Sequence, residues 1–143
     1  MKRQAALIPL SREHHDALSY ARRAVEATPG AEADAVRQRT LAFWGECIAA
    51  HLAVEENSLL PALTAAGAGR EAARAQAQHD QLRALAARLH DGDHGALAEW
   101  GAAMREHVRY EERELFPLAQ RLLDLTALAS TLDRPPARPV TST

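Results

Sequence analysis

The chain has 143 residues, 47% of them hydrophobic and 25% charged, with a formal net charge of −2. That length supports one core but hardly two, the composition excludes a disordered chain, and the scattered arginines do not form the clustered basic face that nucleic-acid binding needs. A single cysteine, Cys47, excludes an internal disulfide framework and suits a reducing, cytoplasmic compartment.

Taken in chain order, "MKRQAALIPLSREHH" opens with two basic residues and a short apolar run. Pro9 breaks that run and charge follows at once, so no signal peptide is expected. No apolar stretch approaches the roughly 20 residues of a membrane span. Alanine, leucine, arginine and glutamate dominate, and turn signals fall between long periodic segments, which predicts an all-α fold. The first helix is predicted from about Ser11 to Ala27, with Ser11 as N-cap and Glu13 in the first turn. "TPGAEAD" is the first connection. The second helix covers about Ala35 to Leu60 and is interrupted by Pro61. The third runs from about Arg70 to His90 and stops at "DGDHG". The fourth runs from about Ala96 to Phe116, is kinked or ended by Pro117, and resumes toward Asp124. A short helix around Thr126 to Leu132 completes a domain over residues 1–132. The tail 133–143 is proline-rich and expected to be disordered.

Four long helices with short links predict an antiparallel up-down-up-down four-helix bundle. Inward stripes at three-to-four spacing can then be written out. The first helix offers Leu7, Leu10, His14, Leu18, Ala21 and Val25. The second offers Leu41, Trp44, Ile48, His51, Leu52, Glu55 and Leu59. The third offers Ala72, Ala75, His79, Leu82, Leu85, Ala86 and Leu89. The fourth offers Leu97, Trp100, Met104, His107, Val108, Glu111, Leu115 and Leu118. Each stripe is apolar except for titratable residues.

Two of these segments repeat. "HLAVEENSLLPAL" and "HVRYEERELFPLA" share His51/His107, Glu55/Glu111, Glu56/Glu112, Leu59/Leu115 and Pro61/Pro117. In an up-down bundle His14, His51, Glu55, His79, His107 and Glu111 all fall at similar height, near one end of the core. Unpaired burial of such groups costs about 1–3 kcal/mol each, and more for a carboxylate, whereas a metal centre satisfies them together. Histidine and glutamate at i and i+4 share one helical face and offer nitrogen and oxygen to one cation. Four imidazoles and two carboxylates exceed one tetrahedral zinc and suit two cations. Two negative charges do not neutralise two divalent ions, so a bridging hydroxide or oxide is expected. Nitrogen and oxygen donors without thiolate favour iron, with manganese or zinc as substitutes.

The segments "REHH", "HLAVEENSLLP", "QHD" and "HVRYEERELFP" resemble the hemerythrin-like family, the HHE cation-binding domains, and the likeness spans residues 14–117. It implies a di-iron centre ligated by His14, His51, Glu55, His79, His107 and Glu111. It also implies a small diatomic ligand or peroxide as partner, in a family of oxygen carriers and sensors, iron-responsive proteins and iron donors for cluster repair. One departure is that oxygen-carrying hemerythrins have a fifth histidine where this chain has Ala75, which opens a coordination position and admits a di-iron peroxidase or oxidase beside a binding protein.

Neighbouring residues are weighed the same way. His15 adjoins His14, and the stripe through Leu10, Leu18 and Ala21 favours His14. Glu56 and Glu112 are rotated about 100° from the inward glutamates and read either as surface groups or as groups orienting a histidine. His90 and His94 face solvent. Cys47 reads as a buried inert thiol, and Tyr20 and Tyr110 as packing residues.

Overall fold

The computed structural model describes residues 2–132, and all regular structure among them is helical. A single 3-10 turn, Ala5–Leu7, leads into α1 (Ile8–Glu26). The second rod, α2 (residues 31–65), runs unbroken through Ala31–Phe43, Trp44–Ile48, Ala49–Val54, Glu55–Leu59 and Leu60–Ala65. It is followed by α3 (Gly69–His90) and by α4 (residues 96–122), the latter built from Ala96–Tyr110, Glu111–Leu115 and Phe116–Leu122. A short α5 (Leu125–Leu132) follows. The expected tail at 133–143 lies outside the described residues.

The first two helices begin earlier than their apolar periodicity suggests. Pro9 occupies the first turn of α1, where its missing N–H costs nothing and its fixed φ suits the helix. Ser11 is therefore inside α1 and is not its cap; its hydroxyl donates to Glu112 Oε2 at 2.8 Å instead. The second rod starts at Ala31 rather than near Ala35. Gly30 takes φ +107°, a turn conformation that side chains resist, and Glu32 and Asp34 lie in the positive first turn.

Neither Pro61 nor Pro117 ends its rod. Before each, the helix widens into one π turn, Glu55–Leu59 and Glu111–Leu115, in which Leu60 N–H reaches the Glu55 carbonyl and Phe116 N–H the Glu111 carbonyl. A proline ring collides with the carbonyl four residues back and cannot donate to it, and a five-residue turn relieves that collision. The added residue also advances the buried face by one position. Leu118 is only partly buried, and Phe116 and Ala119 take the interior.

Helix α1 packs along α4, as does α3, and the end of α2 packs against α3. The apolar core is divided in two. One cluster includes Ala17 and Ala21 of α1, Phe43 to Leu52 of α2, Leu82 to Leu89 of α3 and Leu97 to Val108 of α4. The other includes Leu7 and Leu10, Leu59 to Leu63, Ala68 to Ala75, Tyr110 to Ala119, and Leu125 and Leu132 of α5. The titratable residues lie where the two clusters meet on every rod. They form an internal polar layer and not, as expected, one end of the core; the amino-terminal turn and α5 extend the apolar packing beyond them. Two residues of the α1 stripe are corrected as well. Leu18 and Val25 are 40% and 52% exposed, while Ala17 and Ala24 are buried.

Candidate metal centre

The polar layer gathers His14 from α1, His51 and Glu55 from α2, His79 from α3, and His107 and Glu111 from α4. His14, His51, Glu55, His79, His107 and Glu111 are all at most 3% exposed. His15 is exposed, so the stripe's choice of His14 agrees with the structure. Two overlapping sets of donor atoms, each within 4.8 Å of one another, arise from them: His14, His51, Glu55 and Glu111 on one side, and Glu55, His79, His107 and Glu111 on the other. Both glutamates belong to both sets. The His14 and His51 rings are 4.8 Å apart, and those of His79 and His107 are 4.9 Å apart.

Each imidazole is held from behind through Nδ1. His14 Nδ1 meets Glu112 Oε2 at 2.7 Å, and His79 Nδ1 meets Glu56 Oε2 at 2.7 Å. His51 Nδ1 lies 3.0 Å from Glu13 Oε1, and His107 Nδ1 lies 2.7 Å from Gln78 Oε1. Because all four acceptors are oxygens, the proton sits on Nδ1 and the Nε2 lone pair points into the layer. Phe116 stacks on His14, with ring centroids 5.3 Å apart and planes at 12°, which further limits that ring's rotation.

The inward atoms are left without partners. Among the described residues, eleven buried side-chain nitrogens and oxygens lack a hydrogen bond. Eight of them are the Nε2 atoms of the four histidines and both carboxylate oxygens of Glu55 and Glu111. Several of these atoms do approach one another: His14 Nε2 is 3.0 Å from Glu111 Oε1, and His79 Nε2 is 3.0 Å from Glu55 Oε1. These are ion-pair distances for a protonated ring, but the groups are not aligned as hydrogen bonds. Buried polar atoms are almost always satisfied, so eight orphans in one layer, all Lewis bases, fit bound cations and fit nothing apolar. Four nitrogens and four oxygens without thiolate suit iron, and also manganese or zinc.

The electrostatics describe the same layer without cations. Burial pushes the His14 imidazole down, but the carboxylates of Glu111 and Glu112 outweigh it and raise it to about 10. For His79, burial is outweighed by Glu111 and Glu55, again to about 10. Burial also opposes His51, which Glu55 and Glu13 nonetheless raise. Burial would raise Glu111, yet His107 and its neighbouring imidazoles hold it well below the usual carboxylate range. Protons thus take the place that a cation would fill.

The outer groups were only partly legible. Glu56 and Glu112 are not surface groups: each orients a histidine, and each carries an arginine. Arg83 grips both oxygens of Glu56 at 2.7 and 2.8 Å, and Arg3 reaches Glu112 at 3.2 Å. Glu13, expected only to complement a helix terminus, and Gln78, not singled out at all, hold His51 and His107. The available signal was positional, because each directly precedes a histidine of the layer, in "EH" and "QH". Cys47 is buried, and its thiol donates to Glu13 Oε2 at 3.1 Å. His90 and His94 are exposed. Tyr20 stacks on Phe43, and the Tyr110 hydroxyl donates to the Glu71 carbonyl at 3.0 Å.

Residues 6–119 match the family described as the hemerythrin HHE cation binding domain. No curated protein and no solved structure gives a match. No helix among the described residues is long and apolar enough to cross a membrane.

Proposed function

The chain belongs to the hemerythrin HHE cation-binding family, and on that premise we propose that its polar layer holds two iron ions and serves to bind dioxygen or a related small molecule, or to sense or hold iron. The observation that carries this reading is the set of eight orphaned Lewis-base atoms, supplied by six buried residues on four helical rods. His14, His51, Glu55 and Glu111 would hold one ion, and Glu55, His79, His107 and Glu111 the other, with both carboxylates shared. When bound, such an ion pair supplies reversible small-molecule binding and one-electron exchange. The chain's own part is to present four Nε2 lone pairs in fixed orientation, through Glu112, Glu13, Glu56 and Gln78, and to keep the layer dry between two apolar clusters.

We read the alternation of the two clusters along successive rods as an antiparallel up-down-up-down bundle formed by residues 1–132. The single cysteine supports a cytoplasmic setting. Elemental analysis of the anaerobically reconstituted chain tests the proposal directly: about two irons per chain are expected, and a chain that refuses iron overturns it.

A second reading, a di-iron peroxidase or oxidase or an iron donor for iron–sulfur repair, is favoured by Ala75. Fully buried beside the layer in the apolar cluster, it offers no donor atom where oxygen-carrying hemerythrins have a fifth histidine. Steady turnover of peroxide with a reductant selects an enzyme. Tight, reversible dioxygen binding without turnover selects a carrier or sensor.

A further inference from the structure

The polar layer is built from two halves related residue by residue, and among the four side chains that hold the histidine Nδ1 atoms the halves differ in chemistry at one position. His14 answers to His79, each held by a glutamate that carries an arginine: Glu112 with Arg3, and Glu56 with Arg83. His51 answers to His107, and Glu55 to Glu111. The residue before each first histidine reaches across to hold the second, but here the chemistry differs. Glu13 presents a carboxylate to His51 Nδ1, and Gln78 presents a neutral amide to His107 Nδ1.

A carboxylate accepting the Nδ1 proton makes the ring a stronger electron donor at Nε2 and stabilises positive charge beyond it. A neutral amide orients the ring equally well but does so without charge, and charge-assisted hydrogen bonds are about twice as strong as neutral ones. Glu13 is mostly buried, its side chain 17% exposed, so solvent screens it only in part. The Cys47 thiol anchors its second oxygen without adding a positive charge.

We propose that the two cation positions are unequal. The position framed by His14 and His51 fills first and holds its ion more tightly, and the Glu13/Gln78 difference sets the order. This rests on the reading that the layer holds two ions.

The test is anaerobic calorimetric titration of the chelator-stripped full-length chain with ferrous ion, for the wild type, Glu13→Gln, Gln78→Glu and the double variant. Mutual repulsion of two cations separates the binding steps even in a symmetric site, so the decisive result is which step each change moves. Removing a partner of this kind costs about 10- to 100-fold in metal affinity. Glu13→Gln should weaken the first step by up to that factor. Gln78→Glu should strengthen the second step and leave the first intact. The double variant moves the anion to the other half and should restore the first step. If Glu13→Gln weakens only the second step, or neither, the proposed order is overturned. If Glu13→Gln does not fold, as judged by helical content, Gln78→Glu still decides, because an unmoved second step overturns the proposal from the other side. Uptake of no more than one ion by the wild type overturns the two-ion reading, and this proposal with it.

Discussion

Gly101 of α4 lies directly against the backbone of Ala21 of α1: a Cβ at Gly101 would sit 2.6 Å from the Ala21 carbonyl oxygen and 3.1 Å from the Ala24 Cβ. The small residues Ala21 and Ala24 of α1 face Gly101 and are buried. This close approach brings His14 into the layer with His107 and Glu111, which α4 carries.

Gly101→Ala should therefore destabilise the chain despite alanine's better helix propensity. The propensity gain is about 1 kcal/mol, while overpacking against an unyielding backbone atom costs about 1–3 kcal/mol. A melting temperature lowered by a few degrees, with weaker iron retention, is expected in thermal denaturation. An unchanged or raised melting temperature contradicts the close-packing account.

His51→Ala and His107→Ala should each lower both iron content and melting temperature, because metal-binding energy becomes folding energy. The exposed neighbour His15→Ala should alter neither. Repeating the melts on chelated protein separates the two contributions, since the part due to metal vanishes there. Full iron content in both histidine variants is incompatible with ligation by these rings.

Glu56→Ala removes the acceptor that holds His79 Nδ1 and the partner of Arg83 and Gln76. Iron affinity should fall about 10- to 100-fold, the range expected when a group orienting a metal-bound histidine is lost. Helical content, read by circular dichroism, should stay intact. Arg83→Ala should have a smaller effect in the same direction. Wild-type affinity in Glu56→Ala would return that residue to the surface role.

The metal-free chain should also show a characteristic pH profile. Burial pushes His14 and His79 down, but their carboxylate neighbours raise both from 6.5 to about 10. Their stabilisation is complete below pH 6.5 and is lost as pH rises through about 10. Burial would raise Glu56, but Arg83 and His79 lower it from 4.5 to about 2. Its contribution is present above pH 4.5 and is lost as pH falls through about 2. Chelated protein should melt highest between about pH 4.5 and 6.5, with the melting temperature declining on both sides. Iron must displace the imidazole protons, so the stability added by iron should grow with pH. A chelated protein whose melting temperature is flat from pH 6.5 to 10 contradicts the assignment.

The sequence by itself determined the helical class, the six residues of the layer and the stripe of α3, every member of which is buried. These rest on local periodicity, because residues three and four apart share a helical face whatever packs against it, and a His-x-x-x-Glu pair is already assembled within one rod. Tertiary structure decided the rest. Which residues of α1 turn inward depended on how α1 packs against its neighbours: Ala17 and Ala24 are buried in place of Leu18 and Val25, and Gly101 of α4 admits the close approach of Ala21 and Ala24. The π turns before Pro61 and Pro117 shifted the later interior by one residue, a phase change that a regular 3.6-residue repeat does not contain. Glu13 and Gln78 act on histidines 38 and 29 residues away in the chain. Such a partnership depends on the relative rotation of two packed helices, which no periodicity within either helix specifies.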